Sequence, residues 1–229
     1  MPRFRPRKLH GFFVGFMLVF VAIVLAGFSR RFFVAVADGS FDHPLRVHIH
    51  AAFFFTWTVL LVAQVFLAAS GRLRWHRAIG RWAGWLILPM LVTGTLVAAR
   101  DTQHDFSTDG QAALSFFYGE LADLAMFGLL AGSALWSRDR PDWHKRFMTL
   151  SCLALMGAAA GRIPEIDGYV LALLLAMILS VFAYDLASRR EFHPATLIGS
   201  LVLLAMTMTQ TAIGDTAAWL SFSHQLLKV

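Results

Sequence analysis

The chain places Trp-His and a basic residue together twice, as Trp75-His76-Arg77 within "GRLRWHRAIGRW" and as Trp143-His144-Lys145-Arg146 within "RDRPDWHKRF". The two histidines are 68 residues apart, and each stands at the start of a long apolar run. Imidazole is the commonest metal-ligating side chain and binds through a neutral ring nitrogen. Two imidazoles facing one another from different helices, with apolar walls and nearby cations, are what a haem b needs for its axial ligands, its slot and its propionates. His76 and His144 are the candidate ligands, and Arg72, Arg74, Arg77, Arg81 and Arg146 the candidate cations. Gly80 and Gly84 follow His76 on one helix face and leave room for a flat macrocycle or for a closely packed neighbouring helix. The competing interpretation is interfacial. Trp belts and basic anchors are ordinary at helix ends in membrane proteins, and a histidine among them needs no ligand.

A second constellation falls at the opposite helix ends: His50, Glu120, Asp123 and Arg162, with His104 in the adjoining connection. Glu120 and Asp123 stand three residues apart and share a helix face. One histidine and two carboxylates form a plausible Zn or Fe site, whereas Arg162 beside two acids makes an ion-pair cluster tying two helices. His48 and His50 point about 200° apart on a helix, so only one faces inward; His50 shares its face with Phe54, Trp57, Leu61 and Gln64 and is the inward one. His10, His43, His193 and His224 read as solvated terminal or loop residues, and Gln210 as a hydrogen-bonding tie from the last helix.

The elements that must position these groups are apolar helices. The chain is 58% hydrophobic and 15% charged, with mean hydropathy +0.62, against about 25% charged residues in soluble domains. The net charge of +6 comes from short basic clusters between apolar runs, which are topology signals; nucleic acid is not an expected partner. Cys152 is the single cysteine, so neither a disulfide nor a thiolate metal site is expected. The basic start and long first apolar run show no small-residue cleavage site and suggest no removable leader. The expected fold is an all-α integral membrane protein of about seven transmembrane helices, near 11–29, 45–69, 79–99, 113–136, 145–163, 168–187 and 195–219. They form one domain over 1–229, with a four-helix core of helices 2–5 (45–163) and the other three helices peripheral, helix 1 facing lipid. Fourteen of the twenty Lys and Arg fall on the N-terminal side of the membrane, which places the N-terminus in the cytoplasm and the C-terminus outside. The 68-residue offset also aligns helices 2–3 with helices 4–5, mapping His50 onto Tyr118, as two parallel hairpins would.

The blocks "HAAFFFTWTVLLVAQVF", "WHRAIGRW" and "DWHKRFMTL…GRIP" resemble a bacterial family of predicted multi-pass membrane proteins. Its marks are an early His, a His-Arg-x-x-Gly-Arg block, a His-x-Arg-x-Met block and an Arg-x-Pro ending. They match His50 with Gln64, His76-Arg77 with Gly80-Arg81, His144 with Arg146 and Met148, and Arg162 with Pro164. The architecture is also similar to transmembrane di-haem cytochromes b, ferric reductases among them, in which four core helices each carry an axial histidine. The resemblance implies one haem b shared by helices 3 and 5, through His76 and His144. It implies a second between helices 2 and 4, but helix 4 has no histidine. The implied protein resides in the bacterial inner membrane and passes electrons with quinol, a small reductant or another redox partner. It is a transmembrane oxidoreductase, acting as a homo-oligomer or within a respiratory complex. The alternatives are an accessory protein that handles haem or metal for respiratory oxidases, and an outer-face enzyme using Zn or Fe on His50, Glu120 and Asp123.

Overall fold

The computed structural model describes residues 11–229, apart from the side chains of Arg30, Arg31 and Thr211. The basic cluster at Arg3, Arg5, Arg7 and Lys8, and His10, lie outside the described residues. Helix α1 is Gly11–Phe28 and continues through a π-helical stretch, Ser29–Val34, and a short turn, Ala35–Ala37. Then follow α2 (Leu45–Ala69), α3 (Leu73–Asp109), α4 (Gln111–Trp136), α5 (Pro141–Ala160), α6 (Val170–Arg189), α7 (Pro194–Gly214) and α8 (Ala217–Leu227). No strand occurs among the described residues.

Six helices are long and apolar enough to cross a bilayer: α1, α2, α3, α4, α7, and α6 with the 3₁₀ turn that precedes it. The helix expected at 145–163 is present as α5 but is not one of the six. It starts with Asp142, Lys145 and Arg146 and ends in a run of alanines. Its position explains why apolarity is not demanded of it. Eleven of its twenty residues are buried, and it packs against α1, α4, α6 and α7, so protein rather than lipid covers most of its surface.

The third helix is much longer than the expected 79–99. The connection before it shrinks to Ser70–Arg72, turned by Gly71 at φ 76°. His76 therefore lies in the first helical turn of α3, not in a loop. At the far end "RDTQHDFSTDGQ" stays helical to Asp109, so His104 is on a helix; nothing in that polar stretch lacks a backbone N–H. Gly110, at φ 58° and ψ −129°, makes the reversal into α4 alone, in a region that a residue with a Cβ rarely adopts. Within α3 the backbone tightens to a 3₁₀ turn at Gly84–Leu86. Pro89, four residues beyond Trp85, lacks the N–H that would bond the Trp85 carbonyl. The last expected helix, 195–219, breaks at Gly214, and α8 follows as a separate helix held by Trp219 Nε1 donating to the Leu114 carbonyl at 2.8 Å.

The centre of packing is α4 and α5, with α1 and α7 laid on them. Helix α1 is therefore part of the packed bundle, not an outlying lipid-facing span: Phe16, Met17, Phe20, Val24 and Gly27 are buried. At Gly27 a Cβ would lie 2.1 Å from the Ala159 carbonyl oxygen, so the two backbones touch. At Gly199 of α7 a Cβ would meet Leu150 of α5 at 2.5 Å. By contrast α2 and α3 pack on each other, while only α3 meets α4 extensively and neither leans extensively on α5. The space left between them and α5 is a cavity.

Candidate functional site

The cavity has a volume of about 910 Å³, near the top of the range of roughly 300–1,000 Å³ common for small-molecule and cofactor sites. Its deep part is apolar, with Met17, Trp57, Leu60, Leu61 and Val65. Its mouth is basic, with Arg77, Arg81, Arg138, Lys145 and Arg189 set against Asp139 and Asp142. His76 and His144 both line it, one from α3 and one from α5. Their ring centroids are 6.1 Å apart and the ring planes cross at 86°. The structure thus brings the two sequence-selected histidines together.

Each imidazole is anchored to the helix that precedes its own. His144 Nδ1 is 2.8 Å from the carbonyl oxygen of Ala134, in the last turn of α4. That carbonyl lacks its usual helical donor, since the Arg138 N–H bonds Leu135 instead. A carbonyl only accepts, so His144 Nδ1 carries the proton and Nε2 keeps its lone pair, the arrangement that metal-binding histidines ordinarily show. His76 Nδ1 is 3.1 Å from the Gln64 carbonyl oxygen of α2, and the Gln64 side-chain amide reaches the same nitrogen. The hairpins α2–α3 and α4–α5 therefore use the same device with registers that differ by two residues, 12 and 10 positions back.

The other expected site residues divide. Arg77 and Arg81 line the mouth and make no ion pair with a described carboxylate; Arg77 Nε donates to the Leu73 carbonyl. Gly80 faces Gln64, and an added Cβ would stand 3.5 Å from the amide, an ordinary van der Waals contact. At Gly84 a Cβ would meet Leu135 of α4 at 2.9 Å, which is helix packing. Arg146 is 1% exposed and committed elsewhere than expected. Its Nε donates to Asp185 Oδ1 at 2.8 Å, its Nη2 bonds the same oxygen, and its Nη1 donates to the Asp142 carbonyl. Asp185 is fully buried and its other oxygen accepts from Thr196 Oγ1 at 2.6 Å and the His193 N–H at 3.0 Å. Asp185 carried no signal in the sequence beyond being the one acid inside the apolar run of α6; the partner across the bundle gives it meaning.

His193 is 5% exposed, not solvated. Its Nδ1 accepts from the Ala195 N–H and caps α7. Burial, then the guanidinium groups of Arg146 and Arg189, hold it below its ordinary pKa of 6.5. Lys145 and Arg189 both pair with Asp142, at 2.7 and 3.4 Å.

Among the described residues no three His, Cys, Asp or Glu side chains are grouped so as to hold a metal ion. Asp123 Oδ1 instead accepts from Gln210 Nε2 at 2.8 Å, the expected tie of α7 to α4. Arg162 lies within electrostatic reach of His50, Asp101 and Glu120. His50 is half-buried with its ring 4.3 Å from Phe54, while His48 is exposed beside Phe41. His104 is exposed and bonds Asp105 at 3.0 Å. No family model, no curated protein and no solved structure matches the chain.

Proposed function

We propose that this protein is a membrane-integral electron-transfer protein that holds one haem b between His76 and His144. The observation that carries the proposal is the pairing of the two imidazoles across one cavity. Two metal–nitrogen bonds of about 2 Å each, plus the half-widths of the rings, set imidazole centroids roughly 6 Å apart around a shared metal; the rings here stand at 6.1 Å. His144 presents Nε2 with its lone pair available, and His76 has the Gln64 carbonyl to take its Nδ1 proton. Trp57, Leu60, Leu61 and Val65 keep the interior dry, and Arg77, Arg81 and Arg138 stand at the mouth where propionate charges need partners. Arg146 is not in that set; it ties α5 to α6.

Bound there, haem supplies one-electron chemistry, and the protein contributes its ligands, its low-dielectric walls and its cations. The electron partners are a quinol or a small reductant reaching the site from the membrane or from the basic mouth. We further propose that α5 completes a seventh crossing, shielded from lipid by its neighbours. The N-terminus then lies in the cytoplasm and the C-terminus outside, with the haem on the cytoplasmic side.

Purification from cells supplied with haem precursor, followed by dithionite reduction, tests this. A Soret band and a sharp α-band on reduction are expected, both lost in His76→Ala and His144→Ala and kept in His48→Ala. A wild-type protein that is purified colourless and does not shift the spectrum of added hemin contradicts it.

A further inference from the structure

Two of the arginines in "GRLRWHRAIGRW", Arg72 and Arg74, do not line the histidine cavity. Both are exposed, and neither pairs with a carboxylate among the described residues. The first turn of α3 holds no acid. Arg72 borders a different hollow, an open groove of about 430 Å³ on α2. The rest of its lining is Ala63, Phe66, Leu67 and Ser70. These fall at i, i+3, i+4 and i+7 and so share one helix face. The cavity touches α2 through Leu61, Gln64, Val65 and Ala68, about half a turn round the helix. The groove therefore faces away from the cavity, and Phe66 stays 47% exposed on it. Its polarity is graded. Ser70 and Arg72 stand at the end where α2 turns into α3, while Ala63, Phe66 and Leu67 continue toward the middle of an apolar span. Arg74 and the 61% exposed Trp75 stand at the polar end, the combination found where a helix meets lipid headgroups.

We propose that this groove binds one anionic phospholipid, with its phosphate on Arg72 and Arg74 and an acyl chain along Ala63, Phe66 and Leu67. Each half of the lipid meets its complement. A guanidinium presents donors that match phosphate oxygens, and the apolar trough takes a hydrocarbon chain. A free phosphate has no use for the trough, and a zwitterionic headgroup brings a cation that the two arginines repel. The bound lipid also has a structural consequence. Helix α2 packs extensively only on α1 and α3, yet it forms one wall of the histidine cavity. A lipid seated on its outward face braces that wall from the far side. The site is independent of what fills the cavity, because none of its residues lines it.

Native mass spectrometry of the full-length protein in detergent, titrated with phosphatidylglycerol or with phosphatidylcholine, tests the proposal. The first phosphatidylglycerol should bind more tightly than the first phosphatidylcholine. Arg72→Gln and Arg74→Gln should each weaken phosphatidylglycerol binding roughly fivefold, the usual worth of one arginine at an anionic lipid surface. Ala63→Phe fills the trough with both charges kept, and should weaken it as well. The control is Arg140→Gln with Arg190→Gln, which removes two exposed arginines from the α4–α5 and α6–α7 connections and should leave binding unchanged. Equal affinity of the wild type for the two lipids overturns the proposal. So does full phosphatidylglycerol binding in Ala63→Phe. An equal loss in the control variant also overturns it, because only a diffuse attraction between a basic surface and anionic lipid would then remain.

Discussion

At the scale of single residues, the chemistry depends on which polar groups have a partner that fixes them. His76 and His144 were legible because the same unusual triplet recurs at the mouths of two apolar runs. Arg146 was legible as a cation but not in its use, because its partner is 39 positions away on α6. A lone acid in an apolar run has no local pattern to mark it. Asp185→Ala leaves the buried Arg146 guanidinium with only the longer Asp142 contact at 3.5 Å and should cost about 3 kcal/mol, read as a drop in the unfolding midpoint in detergent. Replacing both, Arg146→Met with Asp185→Leu, should recover most of that loss, since a well-packed apolar pair avoids desolvating the charges. His193 adds a pH dependence at the same junction. Its pKa in the folded protein lies below 6.5, so the folded state favours the neutral ring. Its contribution to stability is complete above 6.5 and declines as pH falls below it, when the unfolded chain takes up the proton first. His193→Asn keeps an N-cap acceptor for α7 and should flatten the decline, measured as unfolding midpoint between pH 7.5 and 5.

At the scale of elements, hydropathy located α1, α2, α4, α6 and α7 to within a few residues because lipid must be matched along most of their length. It was less informative for α5, whose surroundings are protein, and for the ends of α3, which run on as polar helix beyond the apolar stretch. The close approach of α1 to α5 also escaped the sequence. Gly27 reads there as one more small apolar residue, yet its hydrogen faces the Ala159 carbonyl across a gap that admits no methyl group. Gly27→Ala should separate the two helices and destabilise the protein by about 1–3 kcal/mol, the usual cost of overpacking a tight contact. Gly15→Ala, where no heavy atom outside the helix backbone lies within 4 Å, is the control and should leave the midpoint unchanged.

At the scale of the whole molecule, a packed α4–α5 centre with α1 and α7 against it supports a looser pair, α2 and α3, that frames the cavity. Both imidazoles line that cavity, with the packed centre behind it. Orientation is testable because Cys152, the only cysteine, is buried. A cysteine introduced at Asp139 should react with an impermeant maleimide only from the cytoplasmic side, and one at His104 only from outside. Labelling at both positions from the same side would contradict a crossing by α4, the one span that separates them. The most direct measurement of the central claim is the low-temperature electron paramagnetic resonance and optical spectrum of the purified, hemin-titrated protein. The account predicts one low-spin haem per chain with two imidazole ligands, lost in His76→Ala and in His144→Ala. Titration that saturates with no low-spin signal, or a low-spin signal that survives loss of both histidines, would contradict it.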